Sequence, residues 1–85
     1  MSKLEKAIQR LKSIPRDYTY TEAKYILGQF GFMEVNKGKT SGSRVMFYRP
    51  YDKKKFLLHK PHPTDIMNYQ SVLGLAGFLE RIGEI

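Results

Sequence analysis

An 85-residue chain with 41% apolar and 13% aromatic residues has room for a single domain with one modest core, and is too apolar to remain disordered. With no cysteine, disulfides and thiolate metal sites are excluded. No apolar run approaches a membrane span and the charged start MSKLEKAIQRLKS has no secretory apolar segment, so a soluble cytoplasmic protein of formal charge +7 is expected.

Ser2-x-x-Glu5 is a capping box, and Leu4, Ala7, Ile8 and Leu11 recur on one face of the helix that follows. Pro15 disfavours helical geometry at Ile14, so this helix is expected to stop near Ser13. Thr19-x-x-Glu22 is a second capping box. It opens a helix carrying Ala23, Ile26, Leu27 and Phe30, with Gly31 as the left-handed residue past its end and Phe32 folding back on the last turn. After Gly31 the period shortens. FMEVNK reads as a short strand anchored by Phe32 and Val35, and GKTSG as a loop. SRVMFYR is a strand with Val45 and Phe47 on one face and Arg44, Met46 and Tyr48 on the other. Pro50-Tyr51-Asp52-Lys53-Lys54 is a hairpin connection to a third strand, KFLLH, which Pro61 and Pro63 end.

A last helix begins near Asn68, with Val72, Leu75, Ala76, Leu79 and Ile82 on one face and Gly83 closing it. Gly74 and Gly77 inside it each cost about 1 kcal/mol against alanine, which makes sense if the helix packs closely on another surface. Helix, helix, three antiparallel strands and helix make an α+β fold: a small two-layer sandwich with a three-stranded antiparallel sheet packed on helices.

All the net charge lies between Lys37 and Lys60, where eight basic residues meet one acid, Asp52; the rest of the chain sums to zero. Such a localised field attracts polyanions, whereas a solvated basic face serves only solubility. GKTSGSR, residues 38–44, combines glycines, hydroxyls and cations; its amides can turn toward a phosphate that Lys39 and Arg44 neutralise, or it is simply a polar hairpin loop. The strand pair sets cations beside aromatics, with Arg44, Met46, Tyr48 and Arg49 followed by Tyr51 and Lys53 to Lys55. Cations hold a phosphate backbone and exposed aromatic rings stack on unpaired bases. Phe47 shares a face with Val45 and is read as sheet packing; Tyr48 lies on the arginine face.

LLHKPHP, residues 57–63, holds the only two histidines, His59 and His62, with Lys60 between them. Metal-free RNA cleavage needs a base for a 2′-hydroxyl proton, an acid for the departing 5′-oxygen, and positive charge for the phosphorane. Imidazole serves as either acid or base near neutral pH, and lysine or arginine supplies the charge. The alternatives are plain structural histidines or a metal site, and two histidines without a cysteine or a third carboxylate make a poor zinc set. GKTSGS lacks the spacing of a nucleotide-binding P-loop.

A helix ending in LGQFGF, a strand, a loop ending in Gly42-Ser43, the strand RVMFYRP, then FLLHKPHP and a terminal amphipathic helix resemble the HicA-type toxins, over roughly residues 20–82. These are small bacterial mRNA interferases of toxin–antitoxin systems. The resemblance implies a double-stranded-RNA-binding-domain-like fold over residues 19–85 with residues 1–18 as an amino-terminal helical extension, and a HicB-type antitoxin covering the active site. Many members carry a catalytic histidine directly after the Gly-Ser of the loop; here that residue is Arg44, as in relatives with Gly-Ser-Arg and a His-Lys-Pro-His-Pro run.

The expectation is an endoribonuclease acting on mRNA without cofactor or metal. His59 would be the acid/base, with His62 its partner or a substrate contact, and Arg44 and Lys60 would stabilise phosphate charge. Lys37, Lys39, Gly42, Ser43 and Arg49 would hold the substrate backbone. The other readings are an RNA-binding module without chemistry, and a subunit of a protein assembly whose partner is acidic.

Overall fold

A computed structural model describes residues 2–35 and 44–85. Helices α1 (Lys3–Lys12) and α2 (Tyr20–Gln29) are followed by strands β1 (Met33–Val35), β2 (Arg44–Arg49) and β3 (Lys54–His59), and by helix α3 (Tyr69–Arg81). The sheet order is β1-β2-β3, antiparallel throughout, which gives the expected α+β sandwich.

Both capping boxes form. Ser2 Oγ accepts from Glu5 N–H at 3.1 Å while Glu5 Oε1 accepts from Ser2 N–H, and Thr19 with Glu22 repeats the exchange. Helix α1 ends at Ser13, and Ile14 turns into the left-handed region at φ 47° ahead of Pro15. Helix α2 ends as its glycine dictates. Gly31 takes φ 91°, Phe32 N–H donates to Leu27 O and Gly31 N–H to Gly28 O, the two bonds of a Schellman turn. The same pair of bonds recurs at the end of α3, where Gly83 takes φ 84° and Glu84 N–H donates to Leu79 O.

The core is one cluster. Phe47 and Leu58 point from the sheet toward Tyr20, Ile26 and Leu27 of α2 and toward Val72, Leu75 and Leu79 of α3. Phe78 stacks on Phe56 with ring centroids 4.5 Å apart and meets Phe32 edge-on at 5.6 Å. Helix α1 is part of this core rather than an appendage: Leu11 is fully buried, worth about 2 kcal/mol of apolar transfer, with Leu4, Ala7 and Ile8 packed around it. Arg10 also ties α1 to Glu22 and Asp17.

The close packing expected at the α3 glycines is not found among the described residues. A Cβ built on Gly74 has no neighbour within 4 Å, and one on Gly77 meets only Arg81 Nη1, at 3.6 Å. Two tyrosine hydroxyls, of Tyr18 and Tyr20, are buried without a hydrogen-bond partner among the described residues. Burial pushes the Tyr20 phenol up to about 12.

Candidate nucleic-acid interface

Among the described residues, the helices cover one face of the sheet and leave the other open. Val45, Phe47 and Arg49 alternate inward along β2, so Arg44, Met46 and Tyr48 face out. Strand pairing then fixes three rows on the open face. Arg44 stands opposite His59; Met46 lies between Val35 and Leu57; Tyr48 lies between Met33 and Lys55. A guanidinium and an imidazole therefore occupy one end of the face, an apolar and aromatic band its middle, and an ammonium the other end. Met33 and Leu57 are each about half exposed, and a cleft of about 370 Å³ is lined by Val35, Met46, Tyr48 and Lys55.

Arg44 is the first residue of β2 and His59 the last of β3, and both are exposed. Directly opposed residues of an antiparallel pair have Cβ atoms about 5 Å apart, so the two side chains leave the sheet as neighbours. Lys60 follows His59, and its charge contributes to holding Asp65 below the ordinary carboxylate range, after the larger effects of the Thr21 hydrogen bonds. His62 is exposed in the connection to α3, preceding a cis bond to Pro63.

That connection is pinned at both ends. His59 anchors it in the sheet, and beyond it Asp65 O accepts from Tyr20 N–H at 2.8 Å, Asp65 Oδ2 from Thr21 N–H, and Tyr18 O from Met67 N–H. The bridge between Thr19 and Ile66 completes the attachment to the start of α2. Asp65 thus caps two of the free amides at that helix terminus.

Arg49 is not a substrate contact. Its parity puts it on the inner face, where it is 2% exposed. The guanidinium donates from Nε and Nη2 to Asp52, and from Nη1 to Phe30 O at 3.0 Å and Glu84 Oε2 at 2.8 Å. It lies between the rings of Phe32 and Tyr51, 4.7 Å from each centroid. Every bond it makes is internal, so its charge is spent on joining the β2–β3 hairpin to the ends of α2 and α3. Val35 likewise differs from expectation: it is half-buried beside Met46 on the open face, while Phe32 alone enters the core.

Among the expected site residues, Arg44, His59, Lys60 and His62 lie along the end of β3 and its neighbour, and Lys37, Lys39, Gly42 and Ser43 lie outside the described residues. Met33 and Leu57, which carry neither charge nor imidazole, also lie on this face; the alternation of KFLLH is the signal that places Leu57 there. Among the described residues no three His, Cys, Asp or Glu side chains form a metal-binding group, and no helix is long and apolar enough to cross a membrane. No family model, curated protein or solved structure matches the chain.

Proposed function

We propose that the chain is a metal-independent endoribonuclease toxin of the HicA type, bacterial and cytoplasmic, that cuts mRNA on the open face of its sheet. The observation that carries this reading is the Arg44–His59 pair, an acid/base group and a permanent cation set opposite each other on adjacent strands. In the reaction His59 takes the 2′-hydroxyl proton and the 2′-oxygen attacks the adjacent phosphorus. The bond to the 5′-oxygen breaks, and His62 supplies the proton to that leaving oxygen. The products are a 2′,3′-cyclic phosphate and a 5′-hydroxyl end. Arg44 and Lys60 balance the charge that gathers on the phosphorane oxygens. Met46, Tyr48 and Leu57 offer unpaired bases an apolar and aromatic bed.

The test is incubation of single-stranded RNA with the purified protein in EDTA, beside His59→Ala and His62→Ala. Cleavage that survives chelation and disappears with His59→Ala supports the nuclease. Intact RNA with a salt-dependent gel shift for all three proteins replaces it with an RNA-binding module. The toxin reading further implies a HicB-type antitoxin partner. Induction of the chain should arrest growth, and co-expression of the neighbouring reading frame should relieve the arrest; normal growth with intact mRNA would count against it.

A further inference from the structure

Strand β3 is an edge. Among the described residues it pairs with β2 alone, so the amides and carbonyls along its outer side have no sheet partner there. Six residues long, it offers about 20 Å of ladder. Beside this edge lies a cleft of about 400 Å³, lined by Met46, Lys55, Phe56, Leu57, Phe78 and Arg81. Apolar Leu57, 51% exposed, stands in the middle of the strand.

Charge selects what can pair there. From Lys53 to Thr64 the chain carries Lys53, Lys54, Lys55 and Lys60 with both histidines and no carboxylate. A second copy pairing antiparallel through β3 would bring two such strands together, and like charges opposed across strands destabilise. The same lysines favour a strand of opposite sign. Nucleic acid matches the charge but has no backbone amides and carbonyls in register to complete a β-ladder, nor a side chain for the Phe56–Phe78 cleft.

We infer that the outer edge of β3, with the cleft between β3 and α3, is a docking site for an extended acidic peptide segment that adds as a fourth strand. Side-chain alternation sets its pattern. Acidic residues fall opposite Lys55 and His59, an apolar residue falls opposite Leu57, and an apolar side chain opposite Phe56 enters the cleft beside Phe78. The site stands on the free edge and its charge and does not require RNA cleavage.

The probe is a fluorescein-labelled peptide with the core Glu-Val-Val-Val-Glu, which presents the same pattern in either strand direction, titrated into the full chain without RNA. Binding is expected, with amide shifts and slowed hydrogen exchange along Lys54–His59. N-methylation of alternate peptide amides removes the ladder donors and keeps the side chains; it should weaken binding at least about tenfold. Leu57→Lys should weaken it similarly, and being an exposed substitution it keeps the fold. An N-methylated peptide that binds as well as its parent overturns the proposal, since charge alone would then be holding it. So do amide shifts that avoid β3, and so does a failure to bind while RNA is still cut, which leaves the nuclease reading standing.

Discussion

Arg49 Nη1 donates to Glu84 Oε2 at 2.8 Å, so the carboxylate delivered by the turn at Gly83 meets a guanidinium that also holds Phe30 O and Asp52. Both Schellman turns converge on this one side chain. A Cβ on Gly31 would lie 3.3 Å from Arg49 Cδ, and Glu84 follows Gly83 directly. Arg49→Ala leaves two carboxylates and a carbonyl without their partner and should cost about 2–3 kcal/mol in urea unfolding. Glu84→Gln keeps the shape and should cost about 1 kcal/mol. Equal, small effects for both would show that Arg49 is not the junction.

Acid should unfold the protein through identifiable carboxyls. Hydrogen bonds from Arg49 hold Asp52 below the ordinary range, and those from Thr21 do the same for Asp65. Burial pushes Glu22 up, but its bonds to Arg10 and Thr19 outweigh that and leave it lowered. A carboxyl lowered on folding stabilises above its unfolded pKa, near 4, and loses that contribution as the pH falls through its folded value. Melting temperature should therefore be level from about pH 5 to 7 and fall below about pH 4. Asp52→Asn should melt lower at pH 7 and show a shallower acid slope; an unchanged slope would remove Asp52 from the account.

On the open face, charge and stacking are separable by salt. Arg44→Gln should flatten the dependence of log K on log salt for single-stranded RNA by about 0.7, one phosphate contact. Tyr48→Ala should leave that slope alone and cost about 1–3 kcal/mol of binding at every salt concentration. Both positions lie outside the core, so circular dichroism melts should move by less than about 0.5 kcal/mol for Arg44→Gln. A slope that does not respond to Arg44 places the phosphate elsewhere.

Much of this was legible in advance. The capping boxes at Ser2 and Thr19 and the glycine at 31 named their own geometry, because each rests on local bonds within a turn or two of the chain. The two-residue period of RVMFYR separated Phe47 from Tyr48 correctly, and the same parity would have sent Arg49 inward with Phe47. Its charge points the other way, toward solvent or a phosphate. The partners that make a buried guanidinium tolerable, Glu84 and Phe30 O, are 35 and 19 residues away, and nothing local announces them. The pairing of Arg44 with His59 is similarly a matter of register, which follows from the hairpin length rather than from either residue.

Lys53 is a non-glycine residue at φ 59° in the hairpin turn, and it is exposed. Lys53→Gly should relieve that left-handed conformation and stabilise the fold by about 0.5–1 kcal/mol. A loss of stability in thermal unfolding would mean that the lysine side chain contributes more than its backbone costs.

The buried hydroxyl of Tyr18 makes a simpler case. Tyr18→Phe removes a desolvated group with no partner among the described residues and keeps the ring, so a gain of about 1 kcal/mol is expected. A loss of that size would reveal an acceptor for the hydroxyl.

The hairpin at Pro50–Lys53 has an evolutionary corollary. It sits at the opposite end of β2 and β3 from Arg44 and His59, yet it sets which residues of the two strands stand abreast. The residues beside Arg44 and His59 on the outer face, Met46 and Leu57, take no part in that turn. Substitutions at those outward positions would change what flanks Arg44 while leaving its alignment with His59 intact. The surroundings of the pair and its spacing would then diverge independently among descendants of this chain.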